Sequence, residues 1–348
     1  MTQGRAADFA WRFFDLGEQR LALTSPFWRR ARVRPAAELA KAFHAMPAES
    51  PYPRADGGEG RPPAGGLALF EDACSVDGGI LVAAGGGIVA ESFGRAAEQP
   101  RFGPFRRERD GGISVRIPPL RQMKRLSGDF IFLRQPGDGD YGCWLVETLP
   151  RIAIAAQFCD LSEFRIVVSG APGPMAGIMR DSLGLFGVRP ERVVAIGEEP
   201  VFFQRLVFPL PVAGLPPVKS QSAMEVLEFL PARFAQSEAS PLRIFVRGGL
   251  AAKDEAALVD LLARRDFAVV DPRPMSFAER AQAFARAEWI VGADDEALAN
   301  AAFAPRGLNL VRFRDGDEPF LRDLAEVKQG RFLAVGADAA DLANVLDC

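Results

Sequence analysis

Three adjacent carboxylates, Asp294-Asp295-Glu296, stand at the expected start of a short helix. Acids in that position can accept hydrogen bonds from the first free N–H groups and interact with the helix dipole, worth ~0.3–1 kcal/mol per charge. They can instead hold a hard cation, Mg²⁺ or Mn²⁺, through one or two carboxylates and the phosphates of a substrate. A second constellation is Asp140, Glu147 and Arg151, the arginine one helical turn beyond Glu147. A carboxylate oriented by such an i,i+4 arginine can take a proton from a hydroxyl, worth ~10²–10⁴-fold in rate. The same pair can simply tie a helix to its neighbour. The third candidate is Arg247, at the expected C-terminal end of a strand. Its forked guanidinium suits a diphosphate, and a surface ion pair is the plainer reading.

Other chemistries are limited by what the chain lacks. His44 is the single histidine, so any Ser-His-Asp or Cys-His machine, or any His-ligated metal, would have to use it. It falls in an amphipathic stretch, 38–46, that reads as packing or surface. Cys74, Cys143, Cys159 and Cys348 show no paired spacing, which fits reduced thiols in the cytoplasm better than a disulfide framework or a zinc site. A net charge of −3 lacks the excess of positive charge that nucleic acid binding needs. The basic run Arg29-Arg30-Ala31-Arg32 and the pair Arg106-Arg107 read as solvated faces. No apolar run approaches the ~20 residues of a membrane span, and the charged N-terminus, with Arg5, Asp8, Arg12 and Asp15, does not read as a signal peptide.

These residues need elements to position them. A chain of 348 residues is long enough for about two domains. Residues 1–50 read as helical, with Phe9, Trp11, Phe13 and Phe14 as a packing cluster, and 51–66 as a polar linker. From 67 the pattern becomes short strands. Ile80 to Ala83 and Ile88 to Ala90 flank Gly85-Gly86-Gly87 as a hairpin, which is preferred to a phosphate loop because strand rather than helix follows. Then 141–158 reads as helix, 164–169 as strand, 174–186 as helix, and 192–196 and 201–208 as strands. Prolines from Pro209 to Pro217 mark a crossover near 209–220. Beyond it strands at 242–246, 267–270, 289–291, 308–311 and 332–335 alternate with single helices, one of them opened by a Ser276/Glu279 capping box. That alternation predicts a parallel sheet with right-handed crossovers, whose ligands bind beyond the strand C-termini. The division is 1–65 (helical segment and linker), 66–215 (β-rich and α/β domain) and 216–348 (Rossmann-like domain).

Two ordered blocks carry a family resemblance. The first is Tyr141-Gly142-Cys143-Trp144, continuing to Leu149-Pro150-Arg151. The second begins with a strand ending in Arg247 and runs through Val269-Val270-Asp271-Pro272, Ser276-Phe277-Ala278-Glu279, Phe284-Ala285-Arg286-Ala287 and Ile290-Val291-Gly292. It closes on Leu298-Ala299-Asn300 and Phe303-Ala304-Pro305-Arg306-Gly307. The chain resembles glycosyltransferases of the family 61 type, over roughly 130–311. The resemblance implies an α/β, GT-B-like fold: two Rossmann-like domains facing a cleft, here with β-rich and helical N-terminal additions.

The resemblance further implies a transferase moving a sugar from a nucleotide-sugar donor to a glycan acceptor, lipid-linked at the inner membrane face in one version. The setting would be bacterial capsule, exopolysaccharide or lipopolysaccharide synthesis, in the cytoplasm or peripherally at the inner membrane. The nucleotide sugar is a co-substrate, no bound cofactor is implied, and Mg²⁺ or Mn²⁺ enters only if the acids form a cation site. Carried onto this chain, the donor site comprises Arg247, Gly292 and Asn300, with Asp294 and Asp295 beside them. Tyr141 and Trp144 contact substrate, and Glu147, Asp140 and Arg151 form the catalytic group.

The departures lie at the chemistry. Cys143 replaces the family's usual histidine, and Asp294-Asp295-Glu296 stands where the family carries His-Gly-Ala. The basic position before the next helix reads Ala251-Ala252-Lys253-Asp254. A like charge at about 4 Å and an effective dielectric near 20 costs on the order of 4 kcal/mol, so acids here disfavour a bare phosphate. The alternative to a transferase is therefore a catalytically inactive relative, acting as a binding or scaffolding subunit of a glycan assembly complex.

Overall fold

The computed structural model describes residues 27–93, 105–109, 113–170, 172–214, 218–233, 240–250, 252–313, 318–336 and 339–346. The aromatic cluster Phe9 to Phe14 lies outside them. The fold is mixed α/β, with parallel and antiparallel strands, and the chain divides into two compact units. The first comprises 1–47, 64–140 and 151–211, the second 48–63, 141–150 and 212–348. Among the described residues no helix is long and apolar enough to cross a membrane.

The first unit is built on a nine-stranded sheet. Its one half is parallel: Val193–Ile196, Arg165–Ser169, Lys124–Phe132 and Val201–Pro209 lie side by side. The stretches Phe130 to Phe132, Ile166 to Val168 and Leu206 to Phe208 are apolar and buried on both faces, as helix-covered parallel strands are. The other half is antiparallel except at its edge, where Val33–Arg34 pairs parallel with Ile88–Val89. Gly66–Val76 pairs with Val201–Pro209, then with Ile80–Val82, which pairs in turn with Ile88–Val89. The glycine triplet therefore closes a hairpin, as its strand-like flanks predict. A separate three-stranded sheet joins Phe27–Ala31, Ile113–Ile117 and Phe105–Arg107. The helical expectation for the N-terminal segment fails over 27–45: only Ala36–Leu39 is helix. Ala42–Ala45 pairs antiparallel with 66–69, placing His44 opposite Leu67 and stacking its ring on Phe158 at 5.5 Å.

The second unit carries a five-stranded, all-parallel sheet. Its order is Ala268–Val270, Arg243–Val246, Trp289–Gly292, Asn309–Phe313 and Arg331–Val335. Helices alternate with these strands. Ser276 opens Phe277–Phe284 with the expected capping box, its hydroxyl accepting from Glu279 N while the Glu279 carboxylate accepts from Ser276 N. Phe245, Leu258, Leu262, Val291, Val311 and Leu342 form the core between sheet and helices. Two helices absent from the sequence reading complete the unit, Gln221–Phe229 and Pro319–Val327. The second had a usable signal: Glu318 caps it and Pro319 occupies the first turn, where a missing N–H costs nothing.

The stretch 51–66, expected as a linker, contains a small hairpin, Tyr52–Pro53 with Glu59–Gly60. A Cβ on Gly60 would lie 2.5 Å from the Tyr52 ring, so glycine is required there. Within its unit the segment is fixed by a buried polar network. The Tyr52 hydroxyl donates to Asp323 Oδ1 at 2.6 Å and accepts from Lys219 N, while Lys219 Nζ donates to Asp323 Oδ2 at 2.9 Å. Glu49 accepts from Ser220 Oγ and Gln221 N at the start of Gln221–Phe229.

Candidate functional site

The parallel register of the second sheet decides which residues meet at its C-terminal edge. Val246 pairs with both Val270 and Gly292. Arg247, Asp271 and Ala293, which follow them, leave the sheet at the same end. The turn after Val246 then runs through Gly248 and Gly249, at φ +113° and +78°. A Cβ on Gly249 would fall 2.8 Å from the Ala293 carbonyl carbon, so the two turns press together here because that side chain is missing. A Cβ on Gly248 would sit 3.2 Å from Asp294 Oδ2. Arg247, Gly292 and Asp294 are thus gathered at one edge. Gly292 is buried, and its hydrogen makes room for Val246 and Leu298 rather than facing a ligand.

Two arginines at this edge are held by carboxylates of the chain itself. Arg247 Nε donates to Glu255 Oε1 at 2.7 Å, and Gly248 N donates to Glu255 Oε2 at 3.0 Å. Desolvation pushes the Glu255 carboxyl up, but the hydrogen bonds from Arg247 and Gly248 outweigh it, and its pKa lies below the ordinary value. Arg273 donates through Nε and Nη2 to the two oxygens of Asp271, at 2.8 and 2.7 Å. Neither Glu255 nor Arg273 was singled out by the sequence. The signal that could have found them is position alone: Glu255 lies in the first turns of the helix after Arg247, and Arg273 two residues beyond a strand.

The acids of the 294–296 run are engaged as well. Asp294 caps Asp295–Leu298, its Oδ1 accepting from Glu296 N at 3.1 Å and Ala297 N at 3.2 Å. Asp295 receives Arg312 through Nε at 2.6 Å and Nη2 at 2.8 Å. Asp295 has both oxygens on Arg312, while the capping bonds of Asp294 all fall on Oδ1. Replacing Asp294 by alanine is expected to cost about 0.5–2 kcal/mol in chemical denaturation, the value of a cap, with Mn²⁺ leaving wild-type melting unchanged. Mn²⁺ raising the melting temperature of the wild type and not of the variant would assign the acids to a cation instead.

The signature segment opens as Tyr141–Cys143, passes through a π-helical turn over Trp144–Thr148, and resumes as Arg151–Ala156. Pro150 has no N–H to continue the ladder, and Leu149 N reaches back five residues to Trp144 O at 2.7 Å. Tyr141 joins the first motif block to the end of the second: its hydroxyl donates to Asn300 Oδ1 at 2.5 Å, and Asn300 Nδ2 donates to Ala297 O at 2.8 Å. The Arg280 guanidinium lies 4.9 Å above the Tyr141 ring. Burial pushes the Tyr141 phenol up to about 12, with Arg280 opposing, so it remains a donor at neutral pH.

Asn300 and Trp144 are fully buried. The Asn300 amide is hydrogen-bonded to Tyr141 and Ala297, and the Trp144 indole packs inside the second unit. Glu147 is buried on the π turn, and Asp140 is exposed.

Arg151 is fully buried in the first unit, where all five N–H donors are engaged by the carbonyls of Phe132, Leu133 and Pro209 and by Gln135 Oε1. It stitches the C-terminal ends of Lys124–Phe132 and Val201–Pro209. Arg134 plays a related part, donating to Asp138 and to the carbonyls of Ile196 and Gly197. The family model described as Glycosyltransferase 61 matches residues 141–311. The chain carries a glycosyltransferase 61 domain. No curated protein matches the chain. The matched region begins at Tyr141 and ends at Val311, so the Tyr141–Asn300 bond and the Arg247 edge both lie inside the glycosyltransferase 61 domain.

Proposed function

We propose that this glycosyltransferase 61 protein moves a sugar from a nucleotide-sugar donor to a glycan acceptor in the synthesis of a bacterial surface polysaccharide. In this reading its two units act as the two halves of a GT-B-like enzyme. The observation that carries the donor half is the pair of adjacent donors, Arg247 Nε and Gly248 N, converging on one anion at the C-terminal edge of a parallel sheet. Edges of this kind receive nucleotide phosphates in α/β folds, and a guanidinium with a neighbouring backbone N–H is a good phosphate receptor. The acceptor is a growing glycan, and the base on its hydroxyl is assigned to Glu147 or Asp140.

Titration of the purified protein with UDP-, GDP- and CMP-sugars, with and without Mn²⁺, tests the reading. Arg247→Ala is expected to weaken the preferred nucleotide about 10–100-fold, the worth of a hydrogen bond to a charged group. Its melting temperature should hardly move, because the side chain is 49% exposed and its ion pair is at the surface. Unchanged nucleotide affinity in that variant removes Arg247 from the site.

A second reading, the inactive relative that binds or scaffolds glycan-assembly partners, is favoured by a specific observation. Glu255 already occupies the Arg247 and Gly248 donors. On this reading no nucleotide sugar binds to the wild-type protein.

A further inference from the structure

Glu255 carries the next step. Its two oxygens are held separately, one by the Arg247 side chain and one by the Gly248 backbone, in a fork that two oxygens of a phosphate group can equally enter. The fork is built into the backbone: Gly248 and Gly249 take left-handed conformations, and their turn is wedged against Ala293 and Asp294. Glu255 is the adjustable partner. It reaches the fork from the helix Ala252–Ala263 on a side chain with rotatable bonds, whereas the Gly248 N–H is fixed by the turn. Arg273 repeats the pattern one strand over, its guanidinium closed by Asp271.

We propose that Glu255 is a placeholder for a donor phosphate: its carboxylate fills the oxyanion fork of Arg247 and Gly248, and a nucleotide diphosphate takes the same two donors when Glu255 swings away. The inference rests on the donor reading above and adds to it a residue that sets donor affinity against the enzyme's own charge. It has an unusual signature. Removing a site residue should strengthen binding, since the competing anion is gone and the fork stays. A Glu255 that merely ties the start of its helix to the turn predicts the opposite, a small loss of stability and no gain of nucleotide.

The test is calorimetric titration of UDP, GDP and CMP into wild type, Glu255→Gln and Glu255→Ala, with Glu191→Gln as a control for the change in net charge. Glu191 is exposed in the first unit. Both Glu255 variants are expected to bind the preferred nucleotide about tenfold tighter or more than wild type, with a steeper loss of affinity on adding salt and no change in Glu191→Gln. Binding by the Glu255 variants alone, with a silent wild type, supports the placeholder equally. Wild-type binding that is unchanged or weakened in both Glu255 variants overturns the placeholder and leaves the donor reading standing. No nucleotide binding by any of the proteins overturns both. Melting curves show that the variants are folded, and Glu255→Ala guards against a glutamine amide that recreates the contact to Gly248.

Discussion

Arg151→Ala is expected to lower folding stability by about 3–5 kcal/mol, the range for removing one member of a buried, fully hydrogen-bonded charge network. The Arg151 side chain is inaccessible to solvent and joins two strand ends through four hydrogen bonds, with a fifth to Gln135 Oε1 and its guanidinium 5.1 Å from the Phe208 ring centroid. Burial pulls its pKa down to about 9 and Asp138 pulls it back up, so the charge persists at neutral pH. Alanine would leave the carbonyls of Phe132, Leu133 and Pro209 without these donors, and each buried acceptor left unpaired costs about 1–3 kcal/mol. Lysine cannot substitute, because three donors on a point-like ammonium do not match five in a planar fork. Urea unfolding followed by circular dichroism should show the midpoint falling for Arg151→Ala and, by somewhat less, for Arg151→Lys. An unshifted midpoint in Arg151→Ala would falsify the stitching role and return Arg151 to the catalytic candidates.

The contrast between Arg151 and Arg247 shows where sequence stops informing. Arg247 follows a run, Ile244-Phe245-Val246, that is apolar throughout, as a strand buried on both faces must be, so its place beyond a strand C-terminus was readable. The Ser276 capping box was readable for another reason: its partners lie within three residues. Arg151 stands in a helical pattern that promises an i,i+4 partner. Its actual partners are strand-end carbonyls up to 58 residues away, and no local pattern encodes them. The burial of Trp144 and Asn300 was hidden for a related reason: an indole or an amide looks alike in sequence whether it meets a ligand or the protein's own core.

Misread elements follow the same logic. Alanine-rich 36–46 has helical propensity, but pairing with 66–69 overrides it for Ala42–Ala45. The 141–158 helix was recognised, yet the π turn before Pro150 depends on how a missing N–H is accommodated, which periodicity does not describe. The 48–63 segment has the polar, proline- and glycine-rich composition of a linker. Its assignment to the second unit rests on Tyr52 and Asp323, 271 residues apart.

That last contact supplies the other large effect. Asp323→Ala is expected to destabilise the protein by about 3–5 kcal/mol, because it strands the ammonium of Lys219 in a dry site. Asp323 is fully buried and Lys219 nearly so, and besides Asp323 the Lys219 Nζ has the Phe320 carbonyl at 3.0 Å and the Phe320 ring at 4.3 Å. Burial first, and then Asp323, pushes the Tyr52 phenol above its ordinary pKa, so it stays a donor to the Asp323 carboxylate across the physiological range. The carboxylate thus serves the Tyr52 and Lys219 donors and lies 3.7 Å from Arg54 Nη1, and its loss removes all three contacts. The charge itself is the costly part, which a double-mutant cycle isolates. Lys219→Met combined with Asp323→Leu removes the buried pair together, and such replacements are often neutral or stabilising. The double variant should therefore be more stable than Asp323→Ala by about 2 kcal/mol or more, short of full recovery because the Tyr52 hydroxyl still lacks its acceptor and Arg54 loses a neighbouring carboxylate. Tyr52→Phe alone should cost about 1 kcal/mol. If the double variant is as unstable as Asp323→Ala, the stranded charge is not the cause, and packing of Tyr52 and Pro319–Val327 around the site accounts for the loss.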